Sequence, residues 1–294
     1  MLLKYTIKNR AWLITSSSRM SMFNLKYAIM ATFICLFLLS SCDTSDKFSS
    51  DNIQGIIFQP AINNEALNCN SIFAHSNKKW QYTQLQFFIS AVELKNNKGV
   101  WQKMSLRKSA FQTNNSVLLG EQCNLSNEQN KANWQLTFDK KIELKNTSHI
   151  RFDLGLPFAV NHLNPLTQES PLNIPSMFWA WQIGHKFLRL EMAANNDNWL
   201  FHLGSTGCKS ASPLRSPKEE CRYPNRYTYE LPISKKNNKI TLDLSILLNG
   251  LIITEQTSCQ SSPNKSSCQT LFSNLNIKND HGVFQAINED THHE

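Results

Sequence analysis

The sequence predicts a mainly β protein, an antiparallel β-sandwich with long disulfide-tied loops. Three observations carry that expectation: side chains alternate with period two over several runs, six cysteines follow an export leader, and long amphipathic helical windows are scarce. Trp134, Leu136, Phe138, Ile142 and Leu144 share one parity, with Asp139-Lys140-Lys141 an irregular or turn segment between them. Ile150, Phe152, Leu154 and Leu156 alternate against His149, Arg151 and Asp153, and Ile240, Leu242, Leu244 and Ile246 against Thr241, Asp243 and Ser245. Such alternation marks half-buried strands. Gln84 to Leu94 is more continuously apolar, as in a strand buried on both faces, with a short helix as the other reading. Ser245 to Ile252 suits one short helix, and Asn-, Lys- and Ser-rich connectors such as Asn195–Asn198 and Lys235–Asn238 separate the strands.

The N-terminus reads as an export signal. Lys26 precedes an apolar run, Tyr27 to Leu39, too short and too close to the terminus for a spanning helix. The run ends at Leu39-Ser40-Ser41-Cys42, the form of a bacterial lipobox, which makes Cys42 the expected lipidated N-terminus of the mature protein. Met1 to Arg19 fits a signal poorly, so Met20 or Met22 is the expected start. The chain thus divides into a signal peptide (1–41), a lipidated cysteine and tether (42–52), one β domain (53–287) and a polar tail (288–294) that holds His292 and His293. The expected location is the periplasmic face of a bacterial membrane, the inner one favoured by Asp43 under enterobacterial sorting logic.

The formal charge of +8 overstates the mature protein. Lys4, Lys8, Arg10, Arg19 and Lys26 leave with a leader that has no acid, so the remainder is +3, and no basic cluster interleaved with aromatics appears. Nucleic-acid binding is set aside. Beyond Cys35 of the leader and Cys42, six cysteines remain: Cys69, Cys123, Cys208, Cys221, Cys259 and Cys268. An even set in an exported chain reads as disulfides, and no Cys-x-x-Cys supports the rival thiolate metal site. Six cysteines admit many connectivities. The pairing of sequence neighbours is the expectation: Cys69–Cys123, Cys208–Cys221 and Cys259–Cys268.

Enzyme signatures are missing: there is no Gly-x-Ser-x-Gly, His-Glu-x-x-His, phosphate loop or haem attachment motif. Gly204-Ser-Thr-Gly207 lacks the lysine of a phosphate loop and reads as a tight turn. For a metal, the mature chain offers histidines, carboxylates, carbonyls and the thioethers of Met104, Met177 and Met192. Imidazole suits copper and zinc, and thioether favours Cu(I). His162 and His202 fall near strand ends, where sandwich loops gather. Either one alone is more often a hydrogen-bonded loop histidine than a ligand, and their spacing matches no two-histidine box. Trp179 and Trp181 project to one face of a strand with Met177 and Ile183, a stripe whose default is core. His185 shares that parity but lies about 13 Å beyond Trp181 along an extended strand, which argues against co-ligation by that pair.

Phe152-Asp-Leu-Gly-Leu-Pro-Phe-Ala-Val-Asn-His162, Met177-Phe-Trp-Ala-Trp-Gln-Ile-Gly-His-Lys-Phe-Leu-Arg189 and His202-Leu-Gly-Ser-Thr-Gly-Cys208 together resemble the metallo-mystery pair four-Cys motif family, the MbnP-like periplasmic copper-binding proteins. Gln84 to Leu94 resembles an early family strand, and Cys259 to Phe272 its C-terminal cysteine pair with a following Phe-containing element. The likeness runs from about Ile53 onward. The chain departs from the family where His185 stands for a frequent Tyr, and where Gln260-Ser261 stands for Met-Ser. The resemblance implies a protein that holds copper, Cu(I) in preference, beside a di-haem cytochrome c peroxidase-like partner. That partner would convert a tryptophan, here Trp179 or Trp181, to kynurenine. The matching ligands are His162 and His202; from the residues alone, His185 lies in the core or, with Met177, behind the ligands. The chain is then the substrate of a modifying enzyme and no enzyme itself. The alternative is a structural or adhesive β-sandwich lipoprotein without metal.

Overall fold

The computed structural model describes residues 52–123, 132–234, 237–278 and 281–286, all within the compact unit Ser49–Glu294. The expected signal peptide, Cys42, the tether up to residue 51 and the tail with His292 and His293 lie outside the described residues. Among the described residues, no helix is long and apolar enough to cross a membrane.

Two sheets make the fold. The smaller sheet has the order β14-β13-β1-β2, with β8 also on β1: β1 is Asn52–Ile62, β2 Glu65–Ala66, β8 Gln135–Glu143, β13 Lys239–Asp243 and β14 Phe284–Ala286. The antiparallel sandwich expected from the sequence forms, with one parallel seam among its named strands. β1 and β13 run parallel, Phe58 opposite Ile240, since a strand from each end of the domain closes this sheet. In β8 the register jumps from Ile53↔Ile142 to Gly55↔Thr137, so Asp139-Lys140-Lys141 bulges within a continuous strand.

The larger sheet is built on β4 (Lys78–Asn96). β10 (Leu188–Ala194) and then β9 (Thr147–Leu154) follow one edge of it, and β6 (Ser116–Gln122) and then β5 (Trp101–Lys103) follow the other. β11 (Asp197–Leu203) extends the sheet beyond β10, β12 (Tyr227–Pro232) beyond β9, and β7 (Ala132–Asn133) beyond β6; β3 (Phe73–His75) pairs the start of β4. Ala91, at φ +52°, lies in the bulge between Ser90 and Glu93, where β6 yields to β5.

The core explains why β4 reads as continuously apolar. One face carries Leu85, Phe87 and Ile89, all fully buried. Phe87 meets Phe58 of the small sheet edge-on at 6.1 Å, and Phe58, Phe152, Tyr229 and Phe284 complete an aromatic cluster between the sheets. Edge-on pairs of this kind add about 0.5–1.5 kcal/mol each beyond area burial. The opposite face carries Gln84, Gln86 and Phe88, and it too is buried, because the chain between β9 and β10 folds over it.

Among the described residues, the helices are short. α1 is Phe158–Asn161, α2 Leu244–Leu247 and α3 Ser266–Leu275. The helix expected over Ser245 to Ile252 starts one residue earlier, with Asp243 accepting the Ser245 N–H at 2.7 Å, and gives way to Gly250 at φ +74°. The Phe-containing element after the last cysteines is α3. Disulfides join Cys69–Cys123, Cys208–Cys221 and Cys259–Cys268, each pairing sequence neighbours.

Candidate metal centre

The residues singled out in the sequence lie around the 155–187 connection, which covers the outer face of the large sheet, with His162 beside Trp181 and His202 beside Trp179; no observed contact among the described residues joins His162 to His202. The expected strand through Trp179 and Trp181 does not form. Pro175–Met177 makes a 3-10 turn, after which the chain doubles back. Lys186 N–H donates to Met177 O at 2.8 Å and Trp179 N–H to Gly184 O at 3.1 Å, closing a miniature hairpin. Gly184, at φ +85°, permits the reversal, and a Cβ there would fall 2.5 Å from Asn161. The two indoles therefore do not form a core stripe. Both are half-buried, and only Met177 of the expected set is fully buried.

Each tryptophan accompanies one histidine. Trp181 Nε1 donates to the His162 carbonyl at 2.7 Å, while His162 Nδ1 faces the Trp181 carbonyl at 3.4 Å. Trp179 lies with its ring centroid 6.4 Å from that of His202, and its indole covers Gly204, where a Cβ would stand 2.5 Å from the ring. The glycine of the His-Leu-Gly-Ser-Thr-Gly-Cys string is thus a seat for an indole.

His162, at the C-terminal end of α1, is 5% exposed. Its Nε2 accepts from Asn161 Nδ2 at 3.2 Å and lies 3.5 Å from Cys221 Sγ. Asn161 is itself oriented by His185, whose backbone N–H donates to Oδ1 at 2.7 Å. His162, Cys208 and Cys221 bring three donor atoms within 4.8 Å, but both sulfurs are spent in the Cys208–Cys221 disulfide and offer no thiolate. That is the only group of three or more close His, Cys, Asp or Glu donors among the described residues, and His202 is not in it.

His185 is fully buried between Phe88 and Phe178, with centroids 5.6 and 5.0 Å away. Both ring nitrogens are turned to carbonyls, Nδ1 to Asn161 O at 3.1 Å and Nε2 to Leu172 O at 2.8 Å. Burial drives its pKa below the ordinary histidine value, against the pull of those carbonyls. It braces α1 and aims no lone pair at a ligand.

His202 stands on the outer face of β11, opposite Arg189 of β10. Its Nε2 is 2.8 Å from Glu191 Oε1, which also accepts Arg189 Nε at 2.7 Å. Burial lowers the His202 pKa, while the Glu191 carboxylate raises it. In return the His202 hydrogen bond, helped by Arg189, holds the Glu191 carboxyl down at about 2. Lys186 is 8% exposed and donates to Ser176 O at 2.8 Å, with Nζ 5.7 Å from the Trp179 ring. Burial, with Arg189 nearby, lowers its pKa to about 8.

The backbone of His202 is clamped from outside the large sheet. His202 N–H donates to Cys259 O at 2.8 Å, and the fully buried Ser261 hydroxyl donates to His202 O at 3.0 Å while accepting the Gly204 N–H at 2.9 Å. Glu191, Lys186, Asn161 and Ser261 are site residues to which the motif reading assigns no role. Arg189 and Glu191 alternate with buried Leu188, Leu190 and Met192, a polar face visible in the sequence, but only the β10–β11 register brings it to His202.

The donors on offer suit a soft-to-borderline ion: the imidazoles of His162 and His202, lying beside different tryptophans, no free thiolate, and a His202 Nδ1 without a hydrogen-bond partner among the described residues. The MbnP family model matches residues 53–263. MbnP from Methylosinus trichosporium has a similar solved structure, with a TM-score of 0.66 and 21% identity over 76% of this chain and 87% of that one. No curated protein matches the chain. The likeness to the solved structure concerns the fold; the family match spans most of the domain, and by it the chain belongs to the MbnP family.

Proposed function

We propose that this chain is an exported, lipid-anchored protein that binds copper as Cu(I) through His162 and His202, and that a di-haem peroxidase-like partner converts Trp179 or Trp181 to kynurenine to complete the site. The observation that carries the reading is that each histidine is paired with one tryptophan, and each keeps one ring nitrogen turned away from carbonyl acceptors. An indole N–H is donor only, whereas kynurenine presents an aryl amine and a ketone able to accept or ligate. Bound copper would supply a soft, closed-shell centre held by imidazole without thiolate, compatible with an oxidising compartment. Lys186 and Arg189 outnumber Glu191 around His202, a field that disfavours a divalent ion relative to a monovalent one. In this reading the chain is the substrate of its partner and no catalyst. The rival reading, a metal-free structural or adhesive lipoprotein, draws on His185, a buried histidine wholly occupied with carbonyls.

Metal analysis joined to intact-mass measurement on periplasmically expressed protein decides between them. One equivalent of copper, and a kynurenine mass change that maps to Trp179 or Trp181 only when the partner is co-expressed, is expected. His162→Ala and His202→Ala should each weaken Cu(I) binding strongly with the fold intact. Tight Cu(I) binding that survives loss of both would reject the copper assignment.

A further inference from the structure

We propose that Glu191 is the positioning residue that decides which nitrogen of His202 meets the metal: its carboxylate keeps the proton on Nε2, so His202 ligates through Nδ1. The inference rests on the copper reading of His202. The His202 Nε2 to Glu191 Oε1 distance is 2.8 Å, and the same oxygen accepts Arg189 Nε at 2.7 Å. Arg189 is anchored in turn, its Nη1 donating to Ser176 O at 3.0 Å. A carboxylate held by a guanidinium is an acceptor only, so the proton shared with the imidazole resides on Nε2. Ligation through Nε2 would require breaking this charge-assisted bond and leaving Glu191 and Arg189 to each other. Nδ1, with no hydrogen-bond partner among the described residues, carries the lone pair without that loss.

The ring is held as well as the tautomer. Cys259 and Ser261 fix the His202 backbone on one side, and Glu191 fixes the far ring nitrogen on the other, so ring rotation is restrained at both ends. This is the carboxylate–histidine arrangement by which metal sites raise ligand basicity and orient the ring. His162 is set the opposite way. Its Nδ1 faces the Trp181 carbonyl and its Nε2 accepts from Asn161, so Nε2 is the nitrogen without the proton. That lone pair is engaged by the Asn161 amide, which must give way before His162 could ligate, whereas His202 Nδ1 has no such competitor among the described residues.

The test reads the tautomer before any metal is added. Long-range proton–nitrogen correlations on nitrogen-15-labelled apo protein, assigned by loss of the His202 signals in His202→Ala, should show a pyrrole-type Nε2 and a pyridine-type Nδ1. Cu(I) has a closed shell and leaves the lines sharp, and its addition should move Nδ1 most. Glu191→Gln, whose amide can both donate and accept, should mix the tautomers and weaken Cu(I) binding by about 10–100-fold. An Nδ1–H tautomer in the wild-type apo protein, or a copper-induced shift centred on Nε2, would overturn the proposal, and both are read on unmutated protein. So would a Glu191→Gln variant that keeps tautomer and affinity unchanged. Unchanged Cu(I) affinity in His202→Ala overturns the copper reading and the ligand assignment together, while the apo tautomer still judges the Glu191 lock separately.

Discussion

At the residue scale, the surroundings of His202 set two measurable expectations. The first is acid stability. The folded Glu191 carboxyl lies at about 2, below the ordinary glutamate value, because His202 and Arg189 bond its charged form. A depressed folded pKa contributes stability that is present above the unfolded value and lost as pH falls through the folded one. Urea melts between about pH 5 and pH 2 should therefore show wild type losing on the order of 3 kcal/mol that Glu191→Gln does not lose, as a shift of this size implies. Parallel curves for the two proteins would contradict that assignment. The second expectation concerns Gly204→Ala. The new methyl would stand 2.5 Å from the Trp179 ring and 2.7 Å from the His185 carbonyl, and backbone cannot yield as a flexible side chain does. A loss of about 1–3 kcal/mol, typical of overpacking, is expected in thermal or urea melts, with tryptophan emission shifted to the red as the indole is pushed toward water.

At the element scale, β11 depends on a segment distant in sequence. Ser261, fully buried at φ +55°, ties the end of β11 to the loop that the Cys259–Cys268 disulfide closes. Ser261→Ala removes a donor from His202 O and an acceptor from Gly204 N–H, leaving buried groups unpaired at a cost of about 1–3 kcal/mol. Hydrogen exchange at His202 and Gly204 should quicken in this variant more than exchange in β12, which Ser261 does not touch. Uniform protection across both strands would mean that the clamp is redundant. The 155–187 connection has the same dependence: α1 is a single turn and acquires its place from Asn161 and His185, not from helix propensity.

At the scale of the whole molecule, the sandwich is a frame that leaves one outer face to the site. Phe58, Phe87, Phe152, Tyr229 and Phe284 join the two sheets on the inner side, with no part of the histidine layer among them. Phe58→Ala should cost about 3–5 kcal/mol, as for other large buried aromatics, yet the folded fraction should bind Cu(I) as wild type does. The histidine variants should do the reverse, and calorimetry with copper titration on the same preparations separates the two classes. Coincident losses in both would place the site in the core. The proposed anchor at Cys42 belongs to this scale too. Cys42→Ser should release the protein from the membrane fraction or leave it unprocessed, and unchanged fractionation and processing would reject the lipoprotein reading.

The sequence by itself determined the features that short-range chemistry dictates. Period-two alternation located the strands from Ile150 and Ile240, while the continuous run from Gln84 left a strand covered on both faces and a short helix both open, and six cysteines left the pairing open, with the neighbour pairing one choice among many. Local patterns suffice for the alternating strands because side-chain direction follows backbone period, whereas loop closure only favours near partners. Only the tertiary structure decided the rest. The parallel seam of β1 with β13 joins segments from opposite ends of the domain, and nothing local in either encodes the partner. Trp179 and Trp181 read as a strand stripe, yet a 3-10 turn at Pro175 and the reversal at Gly184 set them on a hairpin, each beside a different histidine. Glu191 is an ordinary polar position of an alternating strand until β10 registers against β11, and then it is the partner of His202. The chemistry of each side chain was legible in the chain; which lone pairs remain free depends on long-range register and packing, which no single segment contains.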